Sequence, residues 1–180
     1  MMNDFIVSSQ LRIFIFECIE TMWASRNDFF DAMADALREA IHFLPDNSRI
    51  VGIGIGAANG NYYKGTIERA TNLKWKGVLP LAKMFRDEFG VPCILTNDAN
   101  AAAVGEMIYG NAKGMKDFVV ITLGTGLGSG FVCGGILLNG HHGIAGEMGH
   151  TSVNPAGRYC NCGKRGCLET YVSATGIKRT

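Results

Sequence analysis

Between residues 27 and 44 apolar side chains recur at spacings of three and four, at Phe30, Met33, Leu37, Ile41 and Leu44. With Ser25 or Asn27 available as a cap and Pro45 as a stop, this spacing predicts an amphipathic helix. Residues 49–56 form a run of β-branched residues and glycines that reads as a buried strand, the glycines marking close approach of a backbone or ligand. A loop is expected from Ala57 to Leu73. Residues 80–89 place Leu81, Met84, Phe85 and Phe89 on one side of a second helix, with Gly90 set to end it. Residues 92–96 make a short strand that runs into Asn97-Asp98-Ala99-Asn100, a polar cap for a third helix built from AAAVGEMIYG. A further β-branched strand covers 117–123, and GTGLGSG turns it into 131–133 and 136–138 as a hairpin or meander. Strand-then-helix and strand-then-strand steps together predict an α/β fold with a mixed sheet and helices packed on it. Residues 1–24 suit a short strand or the first turns of a helix equally and stay unassigned.

Composition narrows the partners. With 180 residues, 47% apolar content and 18% charge, the chain can bury a substantial core. A formal charge of +1 supplies no field to draw in nucleic acid, and no apolar run reaches the roughly 18 residues of a membrane span. Three of the six cysteines stand alone (Cys18, Cys93, Cys133) and three cluster, which suits a reducing compartment with a metal site better than a disulfide framework. A cytoplasmic protein is expected, without nucleic acid or membrane among its partners.

Three stretches carry candidate chemistry. Cys160, Cys162 and Cys167 with His150 upstream form a full tetrahedral set for zinc, with glycines to fold the loop back; the alternative is three buried cysteines. A full ligand set leaves no position for a catalytic water, so the metal reads as structural and would pin Glu147 and Glu169, which flank its ligands. Asp98 falls at the end of a strand, where open sheets place ligands, and reads either as a general base or, like Asn97, as a helix cap. Gly124, Thr125 and Gly126 lie between two strands rather than before a helix. That context fails the dinucleotide fingerprint and leaves either a plain hairpin or a backbone cradle for phosphate.

The motifs Gly52-Ile-Gly-Ile-Gly56, Asn72-Leu-Lys-Trp75, Asn97-Asp-Ala-Asn100, Leu123-Gly-Thr-Gly126, Glu147-Met-Gly-His150 and Cys160-x-Cys-Gly-x-x-Gly-Cys-Leu-Glu169, in this order, resemble the ROK (repressor, open reading frame, kinase) sugar kinases, above all their bacterial glucokinase branch. The resemblance runs from about Asn27 to the end. It implies an actin-like ATPase (ribonuclease H-like) fold, with an N-terminal lobe remnant over 25–113 and the start of a second lobe, with its phosphate turn and zinc loop, over 114–180. It further implies ATP-dependent phosphorylation of a hexose 6-hydroxyl, with magnesium on the nucleotide, Asp98 as base, and Asn72, Asn97, Glu147, His150 and Glu169 on the sugar. Gly124, Thr125 and Gly126 would meet ATP phosphate, His150, Cys160, Cys162 and Cys167 would hold structural zinc, and a homodimer would be usual. The chain departs from the family in three places. No Asp-x-Gly-Gly-Thr loop precedes Asn27, Ala58-Asn59-Gly60 replaces the usual Pro-Gly, and the sequence stops at Thr180. A chain truncated at both ends, with weak or no kinase activity by itself, is therefore expected. The alternatives are the sugar-binding body of a ROK transcriptional regulator and a small zinc interaction module.

Overall fold

The computed structural model describes residues 25–46, 48–68 and 77–179. The unassigned residues 1–24 and the Asn72 motif lie outside them. The first helix, α1 (Arg26–His42), is capped by Ser25, whose hydroxyl accepts from the Asp28 amide at 3.1 Å, and it ends ahead of Pro45. Its apolar stripe meets α2 (Leu81–Phe89), where Phe30 packs edge-on against Phe85 at 5.3 Å and an Arg38–Glu88 ion pair spans the two helices. Gly90 ends α2 in the left-handed conformation (φ 65°), the role its position predicts.

Strands β1 (Ile53–Gly56) and β5 (Cys93–Thr96) pair in parallel, Ile53 opposite Cys93. The expected buried strand over 49–56 is thus shorter and only half-buried. Pro92 has no N–H for the ladder, so β5 begins after it and gives β1 only four partners. The expected loop after Ala57 is corrected too: β2 (Gly60–Asn61), β3 (Thr66–Glu68) and β4 (Val78–Leu79) form an antiparallel sheet. Phe29, Ile67, Leu79, Leu81, Phe85 and Leu95 close one core between these sheets and the two helices.

Helix α3 (Asp98–Ile108) follows β5 directly. After it comes the expected meander, β6 (Phe118–Leu123), β7 (Leu127–Cys133) and β8 (Ile136–Leu137), with Leu123 paired to Leu127 across the 124–126 turn. A second core gathers Ala103, Val132 and Leu137 with Val104, Met107, Phe118 and Val120. Small residues let α3 lie close against β7. A Cβ on Gly128 would stand 2.9 Å from that of Ala99, and one on Gly130 would stand 2.6 Å from that of Ala103. That contact sets the start of α3 beside the β6–β7 turn. A 3₁₀ turn (Met148–His150), the cysteine loop, α4 (Glu169–Val172) and α5 (Ala174–Ile177) complete the described chain.

Candidate functional site

Asn97 and Asp98 stand where β5 becomes α3, at the carboxyl end of a parallel strand. The capping is done by Asn97, whose side-chain oxygen accepts from the amides of Ala99 (2.9 Å) and Asn100 (3.4 Å). Its two amide N–H donors are not used by the cap. Asp98 is exposed and spends one carboxylate oxygen on the Ala99 amide at 2.9 Å. Asn97 thus caps the start of α3, and Asp98, whose Oδ1 shares the Ala99 amide, is exposed beside it.

Opposite lies the Gly146–His150 segment. Buried Ser129 on β7 holds it, donating to the Gly146 carbonyl and accepting from the Met148 amide at 3.2 Å. The sequence reading counted Ser129 only as part of a glycine-rich turn. A serine at an inward position of a strand is the signal that points to it. Held this way, Glu147 places a carboxylate oxygen 3.8 Å from His150 Nε2, while His150 Nδ1 lies 3.5 Å from Glu169 Oε1. The Glu147 carboxyl sits above the ordinary carboxylate range. Desolvation is the largest cause; His150 opposes it, and the carboxylates of Asp98 and Glu169 push further upward. Its side chain is still 52% exposed, so the site is open to solvent rather than sealed. Glu169 Oε2 also borders the glycine turn, 2.8 Å from where a Cβ on Gly126 would sit. Asp98, Glu147, His150 and Glu169 thus converge on one cleft at the edge of the 124–126 turn. Three hydrogen-bond acceptors and an imidazole suit a polyhydroxylated ligand.

Within the turn, the Gly124 amide donates to the Gly126 carbonyl at 3.1 Å and the Gly124 carbonyl accepts from Ala174 at 3.0 Å. Gly124 therefore closes the turn and leaves exposed Thr125 at its tip.

Behind the cleft, His150, Cys160, Cys162 and Cys167 bring one ligand atom each to within 4.8 Å of one another. Cys162 and Cys167 Sγ are 3.6 Å apart, and Cys160 Sγ is 3.5 Å from His150 Nδ1. A tetrahedral zinc with bonds of about 2.3 Å spaces its thiolates by about 3.8 Å, so the cage fits that ion with little adjustment. Burial and the nearby Glu169 carboxylate push the Cys160 thiol up, and it donates to Glu169 Oε1 at 2.9 Å. Cys162 is pulled down instead: desolvation works against the shift, but the Lys164 amide and the other two thiols outweigh it. The loop closes on Gly166 (φ 68°), where any side chain would strike the Asn154 carbonyl. The bridge Ser152↔Cys167 seals its base.

The model of the ROK family matches residues 16–180. A glucokinase of Halalkalibacterium halodurans is 46% identical over 150 residues, a match covering 82% of this chain and 45% of that protein. A xylose repressor of Caldicellulosiruptor bescii is 38% identical over 146 residues, covering 79% of this chain and 36% of the repressor. Among solved structures, a ROK family glucokinase from Streptomyces griseus in complex with glucose and AMPPNP superposes with a TM-score of 0.72 at 37% identity, over 86% of this chain and 48% of that one. The chain spans less than half the length of these proteins.

Proposed function

This chain belongs to the ROK family, and from that premise we propose that it carries the sugar cleft, phosphate turn and zinc brace of an ATP-dependent hexose kinase of the glucokinase type. The observation that carries this reading is the convergence of Asp98, Glu147, His150 and Glu169 beside the 124–126 turn. Phosphoryl transfer asks a protein mainly for positioning and charge stabilisation. In this reading Asp98 orients the hexose 6-hydroxyl and accepts its proton as the oxygen attacks the γ-phosphorus of ATP, whose bond to the bridging oxygen breaks and releases ADP. Asn97 donates to a neighbouring hydroxyl through its free amide hydrogens, and Glu147, His150 and Glu169 hold the others, with Asn72 joining them from outside the described residues. The turn of Gly124, Thr125 and Gly126 receives phosphate oxygens, Gly124 by giving the loop its shape, and magnesium accompanies the nucleotide.

Zinc on His150, Cys160, Cys162 and Cys167 supplies no reacting group. It fixes the loop from which Glu147 and Glu169 project, with His150 Nδ1 toward the thiols and Nε2 toward Glu147. Among the described residues no helix is long and apolar enough to cross a membrane.

Calorimetric titration of glucose and other hexoses into the zinc-loaded 180-residue chain tests the reading. Binding of at least one hexose is expected, weakened by Asp98→Asn, while phosphoryl transfer by the chain alone is weak or absent. Any transfer that is detected falls about 10²–10⁴-fold in the same variant. A chain that binds zinc but no hexose would overturn the proposal. The match to the xylose repressor supports a second reading, the sugar-binding body of a regulator. Salt-sensitive, sequence-specific DNA binding in a gel shift would favour it.

A further inference from the structure

We propose that Arg158 is a positioning residue of this site: together with the metal ligands that touch the Glu169 carboxylate, it holds Glu169 and the 124–126 turn at one fixed spacing. The inference rests on the sugar-kinase reading above. Arg158 is partly buried between the 3₁₀ turn and the first clustered cysteine. Its Nη1 donates to the carbonyls of Thr170 (2.7 Å) and Gly176 (3.0 Å), and its guanidinium lies over the Tyr171 ring at 4.8 Å. The Arg158 amide donates to the Tyr171 hydroxyl at 3.2 Å, so backbone and side chain grip the same segment.

That segment needs an external hold. Helices α4 and α5 have four residues each, too few to sustain themselves, and the Gly176 carbonyl accepts from the Arg179 amide at 3.2 Å as well as from Arg158. Arg158 supplies donors to one carbonyl in each. Thr170 follows Glu169 directly, and its hydroxyl is tied to the Cys167 carbonyl at 2.7 Å. The other end of the segment reaches the turn, because the Ala174 amide donates to the Gly124 carbonyl at 3.0 Å. The Glu169 carboxylate borders Gly126, 2.8 Å from where a Cβ there would sit. A closed circuit results, running from Gly124 through Ala174, Gly176, Arg158 and Thr170 to Glu169 and back to Gly126. The metal ligands hold the Cys167 end of this circuit and meet the Glu169 carboxylate through Cys160 and His150, while Arg158 holds the Thr170 and Gly176 carbonyls. A lysine ammonium can donate to these carbonyls from its one nitrogen but has no planar group to lie over the Tyr171 ring.

The test uses the zinc-loaded 180-residue chain and three variants, Arg158→Met, Arg158→Lys and Tyr171→Phe. Zinc content, glucose affinity by calorimetry and hydrogen exchange of residues 169–177 are read for each. Arg158→Met is expected to keep one zinc per chain, lose about tenfold in glucose affinity and exchange faster over 169–177, with Arg158→Lys recovering part of both losses. Wild-type affinity and wild-type exchange in Arg158→Met would overturn the proposal. Should that variant fail to fold, Tyr171→Phe decides, with a smaller loss in the same direction expected and no change overturning it. If the wild-type chain binds no glucose, the sugar-kinase reading fails by itself. The exchange measurement still judges Arg158: faster exchange over 169–177 supports the circuit, and unchanged exchange refutes it.

Discussion

Glu147 is folded into a place that disfavours its charge. In the metal-free chain its carboxyl is raised by desolvation and by two neighbouring carboxylates, against the pull of His150. A raised carboxyl keeps its proton to a higher pH in the folded chain than in the unfolded one, so stability declines as pH rises through the interval between the two values and stays lower above it. Glu147→Gln is therefore expected to melt at a higher temperature than wild type at pH 7 without metal, the gap closing as pH falls below the ordinary carboxylate range near 4.3. The same variant should bind glucose more weakly. Equal melting curves at every pH would show that solvent screening removes the effect. Glu147, His150, Glu169 and the cysteines were legible because they are close in sequence and their chemistry constrains their spacing. Ser129 and Arg158 were not, since each acts on residues 12 to 19 positions away through contacts that exist only once the chain has folded.

Among the elements, α3 brings the two halves of the cleft into register. It meets strands on both sides through residues without bulk, Ala101 against Gly56 of β1, and Ala99 and Ala103 against Gly128 and Gly130 of β7. Gly130→Ala would place a methyl 2.6 Å from the Ala103 Cβ and 2.8 Å from the Ala99 carbonyl. The expected destabilisation is about 1–3 kcal/mol, measured by denaturant unfolding, with glucose affinity falling as Asp98 moves away from Glu147. The helices and the meander could be read from periodicity and caps because each is long enough to show its repeat. Strands β2, β3 and β4 have two or three residues each, too few for an alternation, so the stretch after Ala57 read as loop. The shortening of β1 followed from a proline in its partner, which no pattern within β1 records.

At the scale of the molecule, one face of the β6–β8 sheet packs on α3, and the other is covered at Leu127 and Ser129 of β7 but open along β6. The open face carries Val119 (43% exposed), Ile121 (47%), Leu123 (62%) and Ile136 (64%) in adjacent positions. A contiguous apolar face of this kind marks a surface that associates. The 180-residue chain is expected to sediment above its monomer mass at micromolar concentration. The double variant Ile121→Lys, Leu123→Lys should return it to monomer. A monomeric wild type would contradict this.

The pairing of β1 with β5 also bears on the order in which the chain assembles. Ile53 must find Cys93, forty positions later, whereas β6, β7 and β8 join through tight turns and the cysteine loop closes on itself. Short closures form first and distant ones wait, since loop entropy has to be overcome before a distant contact repays it. The later part of the chain can therefore take shape while the parallel pair is still separate. Asp98, which follows β5 at the seam, receives its final position only when that pairing has formed.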